Sequence, residues 1–527
     1  MISRNATSSF FSLSIQPLSQ LFFFNELLIA IALSIFVYWW RRRSSTPLPP
    51  GPRGSLLTGN RSNILGTKEI WKEYAAWGTY YGPVISVKSA NVQVIILNSS
   101  KAAFDLLDKR SYIYSDRPQT AMFGDLVGLN KGTVRVNLRD PRFPAYRRVA
   151  HEEMGPRQMS HYEPAIQESI KLLLKASLSD PKNLYMHLRN LQGRSMMKTT
   201  YGYSVESDDD YYVGLAEGWM NVLKHHMKPG QWLVDSYPIL KYVPGWMPGA
   251  GFKAFATERK AQLNEVLTAP FQWVKSEMAA GRANSSFVSR RLSGPEELNE
   301  FDEAIVKQMA TSMYVAGIDT VPSVLSTFIL NMVLNPDVQK RAQSELDSVV
   351  GSERLPRLSD KSNLPYVEAL VKEAYRYHPP SPLGSPHCAH QDDVYEDMFI
   401  PKGSHVHANI WAITHDESIY PNPEKFDPTR YLVQDPKTCK TPPDPRTFIF
   451  GFGRRICSGM HVADAVIFLT IASTLATCNI LKSKDEAGNV ITPEIKFTGG
   501  NVSRPEDFPC RIVPRSDAAM DLMMWPH

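Results

Sequence analysis

The sequence predicts a mostly α-helical protein with a minor β part, preceded by one N-terminal transmembrane helix. Three observations carry this reading: a twenty-residue apolar run closed by three arginines, a proline-rich stretch after it, and helical periodicity through most of the remainder. The composition is that of a globular protein, with 527 residues, 43% apolar and 21% charged. It excludes a disordered, collagen-like or disulfide-stapled chain. The five cysteines (Cys388, Cys439, Cys457, Cys478 and Cys510) are odd in number and scattered, which indicates reduced thiols in a cytosol-facing protein. Of the net charge of +5, Met1 to Arg43 carries +3 and the rest only +2. No Lys/Arg block elsewhere marks a nucleic-acid surface.

Leu21 to Trp40 reads LFFFNELLIAIALSIFVYWW, and Arg41, Arg42 and Arg43 follow at once. At 1.5 Å per residue such a helix spans about 30 Å, the thickness of a bilayer core. The arginines mark the cytoplasmic end, with Tyr38, Trp39 and Trp40 as an aromatic belt beside them. Asn25 and Glu26 fall near the luminal end, where headgroups can solvate them. A cleaved signal peptide fits less well, because there is no small-residue cleavage site and the charge lies on the wrong side of the apolar run. Ser44 to Gly54, SSTPLPPGPRG, cannot continue a helix and reads as a stiff spacer or a plain linker. The expected layout is therefore 1–43 luminal N-terminus and anchor, 44–54 proline-rich hinge, and 55–527 one large domain.

Residues 83–87 and 92–97 are β-branched runs that predict paired strands around Ser89–Asn91. The longest predicted helix runs from about Asn299 to Leu334, and another follows Pro336 as far as Gly351. Short strand signals return at Met398–Ile400 and His405–Ile410. A long apolar helix is predicted from His461 to about Cys478.

Just before that helix, residues 448–460 read FIFGFGRRICSGM. A thiol at a helix N-terminus beside two arginines should have a lowered pKa. A lone cysteine is ordinarily a small buried hydrophobe, but its surroundings here are specific. Phe450, Gly453, Arg455, Cys457 and Gly459 fall in a ten-residue pattern that chance produces in about one chain in several thousand, at roughly 5% usage per residue type. The pattern resembles the haem-thiolate loop of the cytochrome P450 family, which implies a P450 fold carrying haem b. By this resemblance Cys457 is the axial iron ligand, its thiolate favouring O–O cleavage. Phe450 packs beside it, Gly453 and Gly459 allow close backbone approach, and Arg455 pairs with a haem propionate. Many family members have Pro where this chain has Ser458.

Other family elements occur in the expected order. Glu373 and Arg376 resemble the Glu-x-x-Arg pair, whose spacing puts both charges on one helix face. Phe426-Asp427-Pro428-Thr429-Arg430 resembles the segment that adds a second arginine, giving a buried network that locks the haem-side fold. Phe143-Pro-Ala-Tyr-Arg147 is the best match to a Trp-x-x-x-Arg helix and makes Arg147 a propionate partner, with Arg148 as the alternative. His387 falls at a further propionate-contacting position. The His387-Cys388-x-His390 group lacks the second ligand pair of a zinc site.

In the longest helix, Ala316-Gly317-Ile318-Asp319-Thr320 resembles the family's acid–alcohol segment. Thr320 can hold a water at the oxygen site, and Asp319 can connect it to bulk protons. Gly, Asp and Thr are poor helix formers with no packing value there. Pro322 cannot donate to the Ile318 carbonyl, so the helix is expected to open or kink at this segment.

Gln231 to Lys253 is rich in Trp, Pro and apolar residues, and reads either as a helix connection or as an access lid dipping into a bilayer. Ser115 to Leu129 would line the pocket by resemblance. Together these readings imply an endoplasmic-reticulum monooxygenase with a cytosolic catalytic domain, reduced by an NADPH–P450 reductase and acting on a lipophilic molecule with O2. The style of residues 370–480 resembles fungal P450s of secondary metabolism, which points to a terpenoid or polyketide scaffold. Two rivals remain: a P450-fold isomerase or dehydratase that needs no reductase, and a non-catalytic membrane haem protein. The Asp319-Thr320 pair speaks against the first.

Overall fold

Two segments are apolar around their whole circumference, and in this computed structural model both become core helices. The described residues are 28–37, 46–55, 59–60, 66–89, 92–207, 209–228, 230–295, 297–432 and 441–524. They fall into two units. The small one holds α1 (Leu28–Val37), residues 46–48 and Asp393–Phe399. The large one holds the described residues of Pro49–Asp392 and Ile400–His527.

In the small unit, α1 is the described part of the expected anchor, and its apolar side chains, Ile29 and Phe36 among them, are exposed. It is shorter than the span of about 20 residues that crosses a bilayer core. The flanking aromatic belt and arginine triplet lie outside the described residues. Phe399 N–H donates to the Pro47 carbonyl at 2.7 Å.

The large unit is mostly helical. Its N-terminal edge is a sheet in which β1 (Val84–Ser89) pairs antiparallel with β2 (Val92–Leu97). The two strands fall where the β-branched runs predict them. The sheet continues through β6 (His405–Ala408), parallel to β2, to β3 (His387–Cys388). The expected strand to Ile410 stops short at Ala408, because Asn409 caps a new helical turn by accepting from Ala412 N–H. The prolines after residue 48 lie on this sheet: the Pro49 carbonyl accepts from Ser86 Oγ and the Pro50 carbonyl from Ser86 N–H. Gly51 is required there, since a Cβ would collide with the Ser86 carbonyl.

The helices that frame the site are α2 (Arg142–Met154), α3 (Met159–Ser179), α4 (Leu184–Tyr201), α5 (Tyr211–His226), α6 (Leu233–Ser236), α7 (Gly251–Ala279), α8 (Glu300–Leu334), α9 (Pro336–Val349), α10 (Pro365–Tyr377) and α11 (Met460–Thr477). α8 starts where Asn299 caps it by accepting from Asp302 N–H. It remains helical through Pro322, where the missing N–H leaves the Ile318 carbonyl without its helical donor. α8 and α11 are each long and apolar enough to cross a membrane, yet 72% of each apolar window is buried in the core. A three-stranded sheet follows α11, in the order β8 (Val490–Ile491), β7 (Cys478–Lys484), β9 (Cys510–Pro514).

One ionic network ties α10 to the loop before the cysteine segment. Glu373 accepts from Arg376 Nε and Nη2, both at 2.8 Å, and both residues are fully buried. Arg430 Nε lies 3.1 Å from the same carboxylate, and Asp427 N–H adds a third donor at 2.9 Å. This is the Glu-Arg-Arg cluster expected from sequence. Removing the shared acid leaves two cations unpaired in a low-dielectric interior. Glu373→Ala should therefore cost about 3–5 kcal/mol, read from denaturant unfolding followed by tryptophan fluorescence. A loss below about 1 kcal/mol, the value of an exposed pair, would contradict the assignment.

Candidate active site

The cysteine segment is built by two tight approaches. Gly451 and Gly453 take φ of 81° and 51°, in the left-handed region that favours glycine. At Gly453 there is also no room: a Cβ would lie 2.5 Å from the Leu107 carbonyl and 2.8 Å from Ser111 Cβ. The loop is thus pressed onto residues 104–111, and Cys457 N–H closes it by donating to the Phe450 carbonyl at 2.7 Å. Phe450 packs edge-on to Tyr375 at 5.6 Å. Gly459 differs from expectation, having φ −92° and open space for a Cβ; what it supplies is a backbone N–H to the Cys457 sulfur.

Cys457 is exposed, yet protein surrounds its thiol closely enough that burial pushes the pKa up. These two facts describe a sulfur facing an internal opening rather than bulk water. The lowered pKa expected from sequence is not found. Gly459 N–H and Arg147 favour the thiolate, but less than burial opposes it. The two loop arginines do not help. Arg454 turns to Ser111 Oγ at 2.6 Å, while Arg455 donates to the Ser115 carbonyl at 2.6 Å and to the Val136 carbonyl.

Arg147, on α2, donates to the Ile456 carbonyl and to Ser458 Oγ, both at 2.7 Å. Ser458 accordingly has a role that proline could not fill: its hydroxyl holds Arg147 against the cysteine loop. Arg148 is exposed. His387 is buried, bonded through Nδ1 to the Tyr114 carbonyl at 2.8 Å, and burial together with Arg117 keeps its pKa far below the usual range. As a neutral ring that donates from Nδ1, it offers an acceptor at Nε2.

Arg117 completes this wall, and Arg135 lies beyond it. Arg117 is buried and donates to the Ser385 and Pro386 carbonyls, each at 2.8 Å, while its Nε has no partner. Burial, then Arg455 and Arg135, push its pKa down to about 9. Arg455 is pushed down to about 10 by burial, against the pull of Asp116. Arg135 donates to the Pro118 carbonyl at 2.8 Å and its Nε is likewise buried without a partner. Arg117, Arg147 and Arg455 bond to carbonyls and hydroxyls, and among the described residues none forms an ion pair within 4 Å. Such a wall fits an anionic group with two carboxylates beside the thiol, as haem presents.

On the opposite side, α8 packs against α2 and α11. Ala316 is exposed between half-buried Val315 and Gly317 on an otherwise largely buried helix, so the helix borders an opening there. Thr320 Oγ1 donates to the Ala316 carbonyl at 3.1 Å. Gly317 lets α8 approach α4, since a Cβ would collide with the Gln192 amide. Asp319 turns the other way, lying 3.3 Å from Arg189 Nε on α4, whose Nη1 lies 3.6 Å from Glu217 on α5.

The structure therefore brings Arg147, Arg455 and His387 into one wall around Cys457, and sets Asp319 and Thr320 on the helix packed against it. Arg117 and Arg135 escaped the sequence reading. For Arg117 the available signal was a charged residue inside the Ser115–Leu129 stretch already assigned to the pocket; Arg135 lies outside that stretch.

A thiol held at an internal opening by a glycine-rich loop, walled by guanidiniums and faced by a helix bearing Thr320, defines a haem-thiolate class of site. A family model described as cytochrome P450 matches residues 49–501. The chain is 39% identical over 503 residues to cytochrome P450 monooxygenase 208 of Postia placenta, covering 95% of this chain and 96% of that protein. It is 41% identical over 484 residues to cytochrome P450 monooxygenase claR of Ampulloclitocybe clavipes, covering 92% and 89%. To cytochrome P450 monooxygenase ple1 of Rhodocybe pseudopiperita it is 39% identical over 501 residues, covering 94% and 95%. The chain belongs to the cytochrome P450 family and is a monooxygenase, with relatives among fungal enzymes; the family carries haem iron on a cysteine thiolate.

Gly453→Ala should displace the loop from residues 104–111 and lower the yield of haem-loaded protein several-fold, measured as haem per polypeptide after purification. An unchanged ratio would show that the close approach does not hold the site.

Proposed function

We propose that this chain is a membrane-anchored monooxygenase of the endoplasmic reticulum, laid out as a 1–43 anchor, a 44–54 hinge and a 55–527 catalytic domain. It inserts one oxygen atom from O2 into a lipophilic small molecule, with electrons from an NADPH–P450 reductase. The resemblance of residues 370–480 to fungal secondary-metabolism enzymes favours a terpenoid or polyketide scaffold. The observation that carries this reading is the Cys457 thiol, presented to an internal opening inside the wall of Arg117, Arg147 and Arg455.

Haem, when bound, would supply the chemistry of oxygen activation and transfer, and Cys457 would hold its iron. Arg117, Arg147, Arg455 and His387 would hold its propionates. Phe450 and Gly453 hold the loop in register. Thr320 orients water beside the oxygen site, and Asp319, reached from outside through Arg189 and Glu217, returns protons to it. Leu233, Ile239, Tyr242 and Trp246 project from the segment before α7 with exposed apolar surface. That exposure supports a lid in contact with lipid, and so a substrate that arrives through the membrane.

Microsomes holding the chain and a reductase, fed lipophilic metabolites under isotopically labelled oxygen gas, should yield a labelled product only when NADPH is present. Conversion without label or NADPH would overturn the oxygenase reading. Thr320→Ala should keep the haem and the NADPH consumption but lower product formed per NADPH several-fold, with peroxide released instead. Unaltered coupling would remove Thr320 from proton handling.

A further inference from the structure

Arg135 is more than the haem edge requires. Haem b brings two carboxylates, and the wall already holds Arg117, Arg147 and Arg455 around the thiol. Arg135 sits beyond them, one residue before Val136, whose carbonyl Arg455 takes. Its Nη2 donates to the Pro118 carbonyl and reaches Thr120 Oγ1 at 3.3 Å, while Nε is buried with no partner. Nη1 has no protein acceptor among the described residues.

The surroundings do not neutralise it. Asp235 on α6 is the acid that acts on it, but that carboxylate is turned to Met122 N–H at 2.8 Å and forms no ion pair with Arg135 within 4 Å. Burial raises the Asp235 pKa, against the pull of Met122 N–H and of Arg135 itself. His405 on β6, a further neighbour, is kept neutral by burial, its pKa lowered to about 4. On the other side lies an apolar cluster formed by Met122, Phe123, Val127, Trp219, Val234 and Leu263. Met122, Phe123 and Val127 lie in Ser115–Leu129, the stretch expected to line the pocket, while Trp219, Val234 and Leu263 come from α5, α6 and α7.

A cation with free donors, bordered by an apolar wall and lying between the haem edge and the lid, is built for an amphiphile with one negative end. We propose that Arg135 is a specificity-determining residue that holds a carboxylate of the substrate, so that the enzyme prefers a lipophilic carboxylic acid. This rests on the monooxygenase reading above. Guanidinium and carboxylate match as a planar pair of donors and acceptors. Thr120 Oγ1, bonded to Arg135 and accepting from Gly124 N–H at 3.1 Å, fixes the guanidinium from behind.

The test uses the full-length haem-loaded protein and three acid–methyl ester pairs: dodecanoate, abietate and a naphthoate. Binding is read from the Soret shift on ligand addition. At least one acid should bind about tenfold or more tighter than its ester, the scale of one hydrogen-bonded charge. Arg135→Leu should shrink that ratio below about twofold while leaving haem content and the carbon monoxide spectrum of the reduced protein intact; Arg135→Lys should restore part of it. No acid preference in any pair, or a preference that survives Arg135→Leu, would overturn the proposal. So would loss of haem in Arg135→Leu and Arg135→Lys, which would make Arg135 a haem-holding group. Failure of the wild type to give a thiolate-type carbon monoxide spectrum would instead defeat the monooxygenase reading itself.

Discussion

Positive charge drawn into the protein without an ion-pair partner governs this molecule. Arg117 is buried and Arg147 and Arg455 are half-buried around one cysteine, and they bond to carbonyls and hydroxyls instead of carboxylates. Carbonyls satisfy the donors but leave the net charge in a poorly solvating interior, which is costly. A chain that keeps this arrangement folds to receive an anion. The contrast with Glu373 is instructive, because there Arg376 and Arg430 share one buried acid and the cluster is closed. One network is neutralised from within the chain, and the other is not.

The thiol follows the same logic. Burial holds Cys457 towards the neutral form, and Gly459 N–H and Arg147 are the two features that favour its charge. A coordinating metal deprotonates a thiol outright, so the protein need only aim the sulfur, and Gly453 does so by letting the loop press on residues 104–111. Ser458 adds to this. Its hydroxyl takes Arg147 and fixes a cation beside the sulfur. On the other side of the opening, Asp319 bonds to Arg189 and so belongs to a polar surface between α4, α5 and α8, while Thr320 remains beside Ala316. The acid and the alcohol, adjacent in sequence, therefore face different surroundings.

Much of this was legible in the sequence because it depends on local spacing. The two β-branched runs, the limits of α8 at Asn299 and Asn335, the Glu373–Arg376 pair and the cysteine loop each follow from residues within a few positions of one another. Arg430 joined them through a motif at a distance. Legibility failed where a side chain's partner comes from far along the chain. Arg455 spans to Ser115 and Val136, and Arg117 to Ser385, contacts that no spacing reveals. The same reason explains the thiol: the helix N-terminus and two arginines were visible, but the burial that outweighs them was not. Pro322 was expected to open or kink α8, and the helix runs on through it between buried residues on either side.

The central claim is that the guanidinium wall is matched to two carboxylates carried beside the thiol. The most direct measurement compares the affinity of the haem-free full chain for haem with its affinity for the haem dimethyl ester, which has the same ring and iron but no propionate charge. The account predicts that the ester binds at least about a hundredfold more weakly, the cost of leaving more than one charge unpaired. Equal affinity for the two would contradict it.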